Sequence, residues 1–170
     1  MVIWLIGLSG AGKTTLANEV VAQVRCVKNN VVLLDGDMLR EVFSNDLGHT
    51  LTDRRTNADR ICKIGKFLDD QGIHVVCAIL SLFPESRSWN RKNLQNYYEV
   101  FIDSPMQDLI QRDYKGLYRR FQQGEICDVA GMDIDFPRPV NADIVIKNDT
   151  TVEELLSFAK AISQKITGKI

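Results

Sequence analysis

Five short runs in this chain are apolar at nearly every position: residues 2–6, 31–34, 73–80, 97–102 and 144–146. Between them lie stretches whose apolar residues recur every three or four positions. Runs of the first kind suit strands covered on both faces, and the alternation predicts an α/β protein with a mainly parallel five-stranded sheet between helical layers. The clearest helix is predicted over 52–71, where Ala58, Ile61, Ile64 and Phe67 or Leu68 form one stripe, with Thr52 as cap and Gly72 as stop. A last helix is predicted to open at Thr151 and Glu154 as a capping box, and to bury Leu155, Phe158, Ala159, Ile162 and Ile166 as a single stripe. Between 114 and 139 the periodicity fades and Lys115, Arg119, Arg120 and Arg138 stand among glycines and prolines. Such a segment is either a lid or binding loop, or a solvated surface loop.

Composition narrows the class. With 170 residues, 45% hydrophobic and 25% charged, the chain has the make-up of one globular domain, residues 1–170. A net charge of −1 provides no basic field, so nucleic acid is not an expected partner. No run reaches the length of a membrane span. Because an apolar strand begins at Val2, no cleaved signal peptide is expected, and Cys26, Cys62, Cys77 and Cys127 are too scattered for a zinc or disulfide framework. A cytoplasmic protein is expected.

The chemistry concentrates after the first strand. Gly7-Leu8-Ser9-Gly10-Ala11-Gly12-Lys13-Thr14-Thr15 fits G-x-x-x-x-G-K-[ST], the loop whose amides cradle nucleotide phosphates at a helix N-terminus. It predicts a nucleoside triphosphate, with Lys13 on the terminal phosphates and the Thr14 hydroxyl on Mg²⁺. At the end of the second strand stand Asp35-Gly36-Asp37. Asp37 is the expected acceptor of a substrate hydroxyl's proton and a second Mg²⁺ contact, direct or through water. Asp35 is the alternative base or an outer-shell Mg²⁺ contact, and a plain turn and helix cap is the bland reading. Leu80 and Ser81 end the third strand, where Ser81 is either a ligand contact or the cap of a following helix. Arg54 and Asn57 share a helix face, turned either to an anionic substrate or to water. Arg112 and Lys115 are candidates to stabilise a transferred phosphoryl group. His74 reads as a strand-edge residue.

Together these residues resemble the adenylylsulfate kinase family. The likeness runs from the phosphate loop to about Asn148. It rests on GLSGAGKTT, LLDGDMLR, DLG followed by DR and Asn57, Ser81, and QRDYKGLY with GEI. The resemblance implies a nucleotide-kinase-like three-layer sandwich that uses ATP and Mg²⁺ to phosphorylate a ribose 3′-hydroxyl. It implies that Arg40, Arg54 and Asn57 hold the acceptor nucleotide, and that Lys115-Gly116-Leu117 belong to a lid over about 114–139. Ser81 matches a serine once proposed as a phosphorylated intermediate, which in-line transfer does not need. The family often forms dimers, so a homodimer is an open expectation.

Two departures bear on the acceptor. Where the family carries two phenylalanines that sandwich an adenine, this chain has His49 and Val129. Base–aromatic stacking is worth about 1–3 kcal/mol per contact in nucleic-acid binders, so the acceptor pocket has been rebuilt while the transfer machinery is kept. The expected acceptor is CDP-phosphoramidate, used by the cytidine diphosphoramidate kinase branch in capsule biosynthesis, with adenylyl sulfate as the alternative. A nucleotide-hydrolysing switch is a remoter reading. Asp35-Gly36-Asp37 and Lys147-Asn148-Asp149 match neither D-x-x-G nor N-K-x-D.

Overall fold

A computed structural model describes residues 1–168. In chain order the elements are β1 (Val2–Ile6), α1 (Lys13–Arg25), β2 (Val31–Asp35), α2 (Gly36–Val42), α3 (Leu51–Asp70), β3 (His74–Ile79) and α4 (Pro84–Asn93). They continue with β4 (Tyr97–Asp103), α5 (Met106–Gln111), α6 (Leu117–Gln122), β5 (Ile144–Lys147), α7 (Val152–Ser157) and α8 (Ala159–Thr167). The five strands form one sheet in the order β2-β3-β1-β4-β5. Every pairing is parallel, as the apolar runs predict.

All five residues of the central strand β1 are buried, because their side chains alternate between two cores. Ile3 and Leu5 join Leu16, Val20 and Ile162 on the α1 and α8 side. Val2, Trp4 and Ile6 join Ile61, Val75 and Phe101 on the α3 side. The chain is therefore an α/β/α sandwich. With β1 flanked by β3 and β4, the carboxyl ends of β1, β2 and β3 open onto one crevice.

The structure adds to or alters the sequence reading in four details. Helix α3 starts at Leu51 with Thr50 as its cap, not Thr52. The Thr50 hydroxyl oxygen accepts from the Asp53 amide at 3.2 Å and donates to the Asp53 carboxylate at 2.8 Å. Within its stripe, Leu68 packs and Phe67 is exposed. The final helix breaks at Phe158, although Thr151 caps as expected. There the Ser157 hydroxyl donates to the Glu154 carbonyl at 2.7 Å and competes with the helical ladder. Helix α4 was hidden from apolar periodicity because its buried face is Ser86, Arg87 and Asn90.

Arg87 and Arg91 of α4 lie 3.9 and 3.7 Å from Glu99, which is 2% exposed on β4. The Tyr97 hydroxyl donates to the same carboxylate at 2.9 Å. Burial, and then the Glu99 charge, push that phenol's pKa up. All four cysteines are free. Among the described residues no helix is long and apolar enough to cross a membrane.

Candidate active site

The loop between β1 and α1 is built around Gly12. At φ +88 it takes a left-handed turn, and a Cβ there would lie 2.5 Å from a Leu155 methyl carbon. No side chain caps α1, so its first amides face the crevice. Lys13 donates to the Leu8 carbonyl at 2.8 Å, spanning the loop. Burial lowers its pKa to about 8, against the pull of Asp35 and Asp37. Asn148 closes the loop from behind, donating through Nδ2 to the Ala11 carbonyl at 3.0 Å.

The Thr14 hydroxyl donates to Asp35 Oδ2 at 2.7 Å. Asp35 Oδ1 accepts from the Asp37 amide at 2.9 Å, which makes Asp35 the cap of α2 and fixes the turn that presents Asp37. The structure thus combines the two readings of Asp35: it is a helix cap that also faces the loop. Asp37 is exposed at 64% and ion-paired with Lys115. Burial pushes the Asp37 carboxyl up, but Lys115, Lys13 and Arg40 together outweigh that and hold it below its usual value. Thr14 and Asp35 offer hard oxygen donors, the type Mg²⁺ takes when most of its shell is water and phosphate.

Ser81 sits at φ +56 at the end of β3, a costly backbone for a non-glycine residue. Its hydroxyl does not cap α4, whose N-cap is Phe83 without a side-chain bond. It accepts instead from the Trp4 indole N–H at 3.3 Å, and its carbonyl accepts from Arg87 at 2.7 Å. Sequence reasoning missed the Trp4 partnership because an apolar run gives no sign of an inward polar atom.

The crevice is about 690 Å³ and is lined by Ser9, Gly10, Gly12, Lys13, Thr14 and Thr15, by Asp37, Leu80 and Ser81, and by His49, Arg54, Asn57 and Val129. Lys115 and Leu117 line it from the far side, and Gly116 caps α6 beside them. Tyr118 anchors α6, its hydroxyl donating to the Ser9 carbonyl at 2.9 Å. Arg54 does not face water. It is half-buried and donates to the His49 carbonyl and the Asp128 carbonyl, each at 2.7 Å, so it ties together the two segments that carry them. Arg40 donates to the Leu47 and Gly48 carbonyls at 3.0 and 2.8 Å and shapes the segment before His49. Burial, then Arg40 and Arg54, lower the His49 pKa and favour the neutral ring.

Two predicted site residues are placed differently. Arg112 is outside the crevice wall, donating to the Asn148 carbonyl at 3.2 Å and lying 3.8 Å from Asp108. Val129 lines the crevice but is 1% exposed, and its side chain belongs to the α1-side core. It is therefore a fixed wall, and a larger residue there would overpack the core. Gly7 and Ala11 shape the loop from within: a Cβ on Gly7 would sit 2.8 Å from the Ile102 carbonyl, and Ala11 is fully buried.

Comparison with known proteins gives the family of this fold. The family model described as adenylylsulphate kinase matches residues 1–147. A cytidine diphosphoramidate kinase from Campylobacter jejuni is 45% identical over 150 residues, 86% of this chain and 85% of the relative. An adenylyl-sulfate kinase from Paraburkholderia xenovorans is 39% identical, covering 87% of this chain and 83% of its own. The Mycobacterium tuberculosis APS kinase CysC, solved in complex with AMPPNP and APS, superposes with a TM-score of 0.86 at 33% identity. That match covers 97% of this chain and 96% of the other. The chain belongs to the adenylylsulphate kinase family and is a phosphotransferase with a hydroxyl acceptor.

Proposed function

We propose that this protein uses ATP to phosphorylate the ribose 3′-hydroxyl of a nucleotide, and that the nucleotide is CDP-phosphoramidate. The observation that carries the reading is that one crevice joins two sets of groups. A phosphate loop with Lys13 lines it together with His49, Arg54, the rigid Val129 wall and Asp37. In this reading the 3′-oxygen forms a bond to the γ-phosphorus of ATP as the bond to the β-phosphate oxygen breaks. Asp37 takes the hydroxyl proton, and its lowered pKa keeps it in the accepting form. Lys13 and Lys115 hold positive charge beside the reacting groups. Thr14 and Asp35 would hold Mg²⁺, directly or through water, and its chemistry is to neutralise charge on the phosphate oxygens.

In this reading the exposed part of 114–139 around Lys115 covers the substrates, while Tyr118 and Val129 hold the segment to the core. Replacement of an aromatic clamp by His49 and a core-packed Val129 supports a small base held by edges and walls rather than by a two-sided stack. The 45% identity to a cytidine diphosphoramidate kinase supports the same acceptor. Adenylyl sulfate is the competing acceptor, supported by the likeness to the APS kinase structure.

The test is a side-by-side assay of both acceptors with Mg-ATP, scored by kcat/KM. Preference for CDP-phosphoramidate is expected, and preference for adenylyl sulfate would overturn the acceptor assignment. Loss of all transfer in Lys13→Ala is expected in either case. Full ATP turnover without any acceptor would instead favour a hydrolase.

A further inference from the structure

In the crevice wall, next to Val129, Asp128 adopts φ +62. Its main chain is held from two sides. The Asp128 and Val129 amides both donate to the Asp133 carboxylate, at 2.8 and 2.6 Å, and the Asp128 carbonyl accepts from Arg54. Asp133 therefore holds the turn, and the Asp128 carboxylate is left over. Its one hydrogen-bond partner among the described residues is the Cys127 thiol at 3.6 Å, and it makes no ion pair there. Asp128 is half-buried and lines the crevice.

A spare carboxylate in a site for an anionic nucleotide repels phosphate, so its use must lie with a part of the ligand that donates. Carboxylates recognise bases by accepting from an exocyclic amino group, as Asp and Glu do with cytosine N4. We propose that Asp128 reads the amino group of the acceptor base and selects amino bases over oxo bases. Cytosine and adenine offer N–H donors at that edge. Uracil and hypoxanthine offer an oxygen, which leaves two acceptors facing each other. Backbone strain at Asp128 fits this use, since strained residues persist where the surroundings fix them for a task. Base size is left to His49 and the Val129 wall, and base edge to Asp128.

The inference rests on the proposal that the acceptor base lies beside His49 and Val129 in the crevice. The test compares kcat/KM for CDP-phosphoramidate and its uridine counterpart in wild type and D128N. Asparagine tolerates the left-handed backbone and replaces an obligate acceptor with an amide that can turn its N–H₂ outward. Wild type is expected to favour cytidine by at least about thirtyfold, below the 10⁴–10⁵ reached when a site's hydrogen-bonding groups are fully buried. In D128N that ratio is expected to fall at least about tenfold, by loss on cytidine, gain on uridine, or both. An unchanged ratio in D128N, or a wild-type ratio near one, overturns the role of Asp128. If wild type prefers adenylyl sulfate, the cytidine assignment fails on its own. The same comparison is then made with adenylyl sulfate and its inosine counterpart, and the amino-to-oxo ratio again decides.

Discussion

The Lys115 ammonium rests on the Asp37 carboxylate, joining residues 78 positions apart across the mouth of the crevice. One partner belongs to the turn after β2 and the other to the segment before α6, so this contact bridges two walls of the crevice.

Because both partners are largely exposed, the pair contributes little to stability. Asp37→Asn is expected to lower kcat by about 10²–10⁴, the usual worth of a general base. Its melting temperature should stay within about 2 °C of wild type, no more than a change of about 1 kcal/mol would produce. In Lys115→Ala the Asp37 carboxyl loses its main stabilising charge, so its pKa rises and the acid limb of kcat/KM moves to higher pH. A pH–rate profile of the two variants beside wild type checks both outcomes.

Lys13 should make nucleotide binding pH-dependent. Its pKa of about 8 in the free protein means the ammonium is lost as pH rises through that value. Polyphosphate favours the charged form and raises the pKa, so binding takes up a proton above pH 8 and affinity falls there, by at most about tenfold per pH unit. Below pH 7 the lysine is charged with or without nucleotide, and this dependence vanishes. Calorimetry in buffers of different ionisation enthalpy measures the uptake, and pH-independent affinity from 7 to 9.5 would contradict it.

Ser81 supports the crevice floor and need not carry phosphate. In Ser81→Ala the Trp4 indole N–H loses its acceptor, which should cost about 1–3 kcal/mol in denaturant unfolding. Turnover should stay within about tenfold of wild type, and no phosphoserine should appear on incubation with ATP. A loss as deep as that of Asp37→Asn would restore a covalent role for the hydroxyl.

Asn148 gives a test of the loop from the opposite side. It is 5% exposed and bonds the Ala11 carbonyl, so Asn148→Ala leaves a buried acceptor unpaired. A loss of about 1–3 kcal/mol in stability is expected, with a higher KM for ATP and a smaller change in KM for the acceptor. Equal changes in both would show that the loop is held by other contacts.

Much of this arrangement was readable from residue order. Fully apolar runs such as Val2–Ile6 announce strands covered on both sides, and the loop from Gly7 to Thr15 has a spacing that only one backbone shape serves. Polar faces were harder to read. Helix α4 buries Arg87 and Asn90, so no apolar stripe marked it. The cap of α3 was misplaced by two residues because Thr50 and Thr52 both precede apolar periodicity, and only the hydrogen bond to Asp53 separates them. Partners distant in the chain left no local trace: Arg54 with the Asp128 carbonyl and Asn148 with the Ala11 carbonyl are tertiary contacts to main-chain atoms, which carry no sequence signature. Val129 lines the crevice, yet its burial in the core could not be seen from a substitution pattern.

The bond from Tyr118 to the Ser9 carbonyl has a mechanical consequence. Tyr118 is 1% exposed, and burial, then Asp113, push its phenol up to about 12, so the donor keeps its proton at any working pH. Helix α6 is thereby pinned like an axle to the phosphate loop. Lys115 hangs from the arm entering it and Asp128 from the arm leaving it. Both segments are thus referred to one fixed point on the loop, and loss of the Tyr118 hydroxyl is expected to displace Lys115 and Asp128 together.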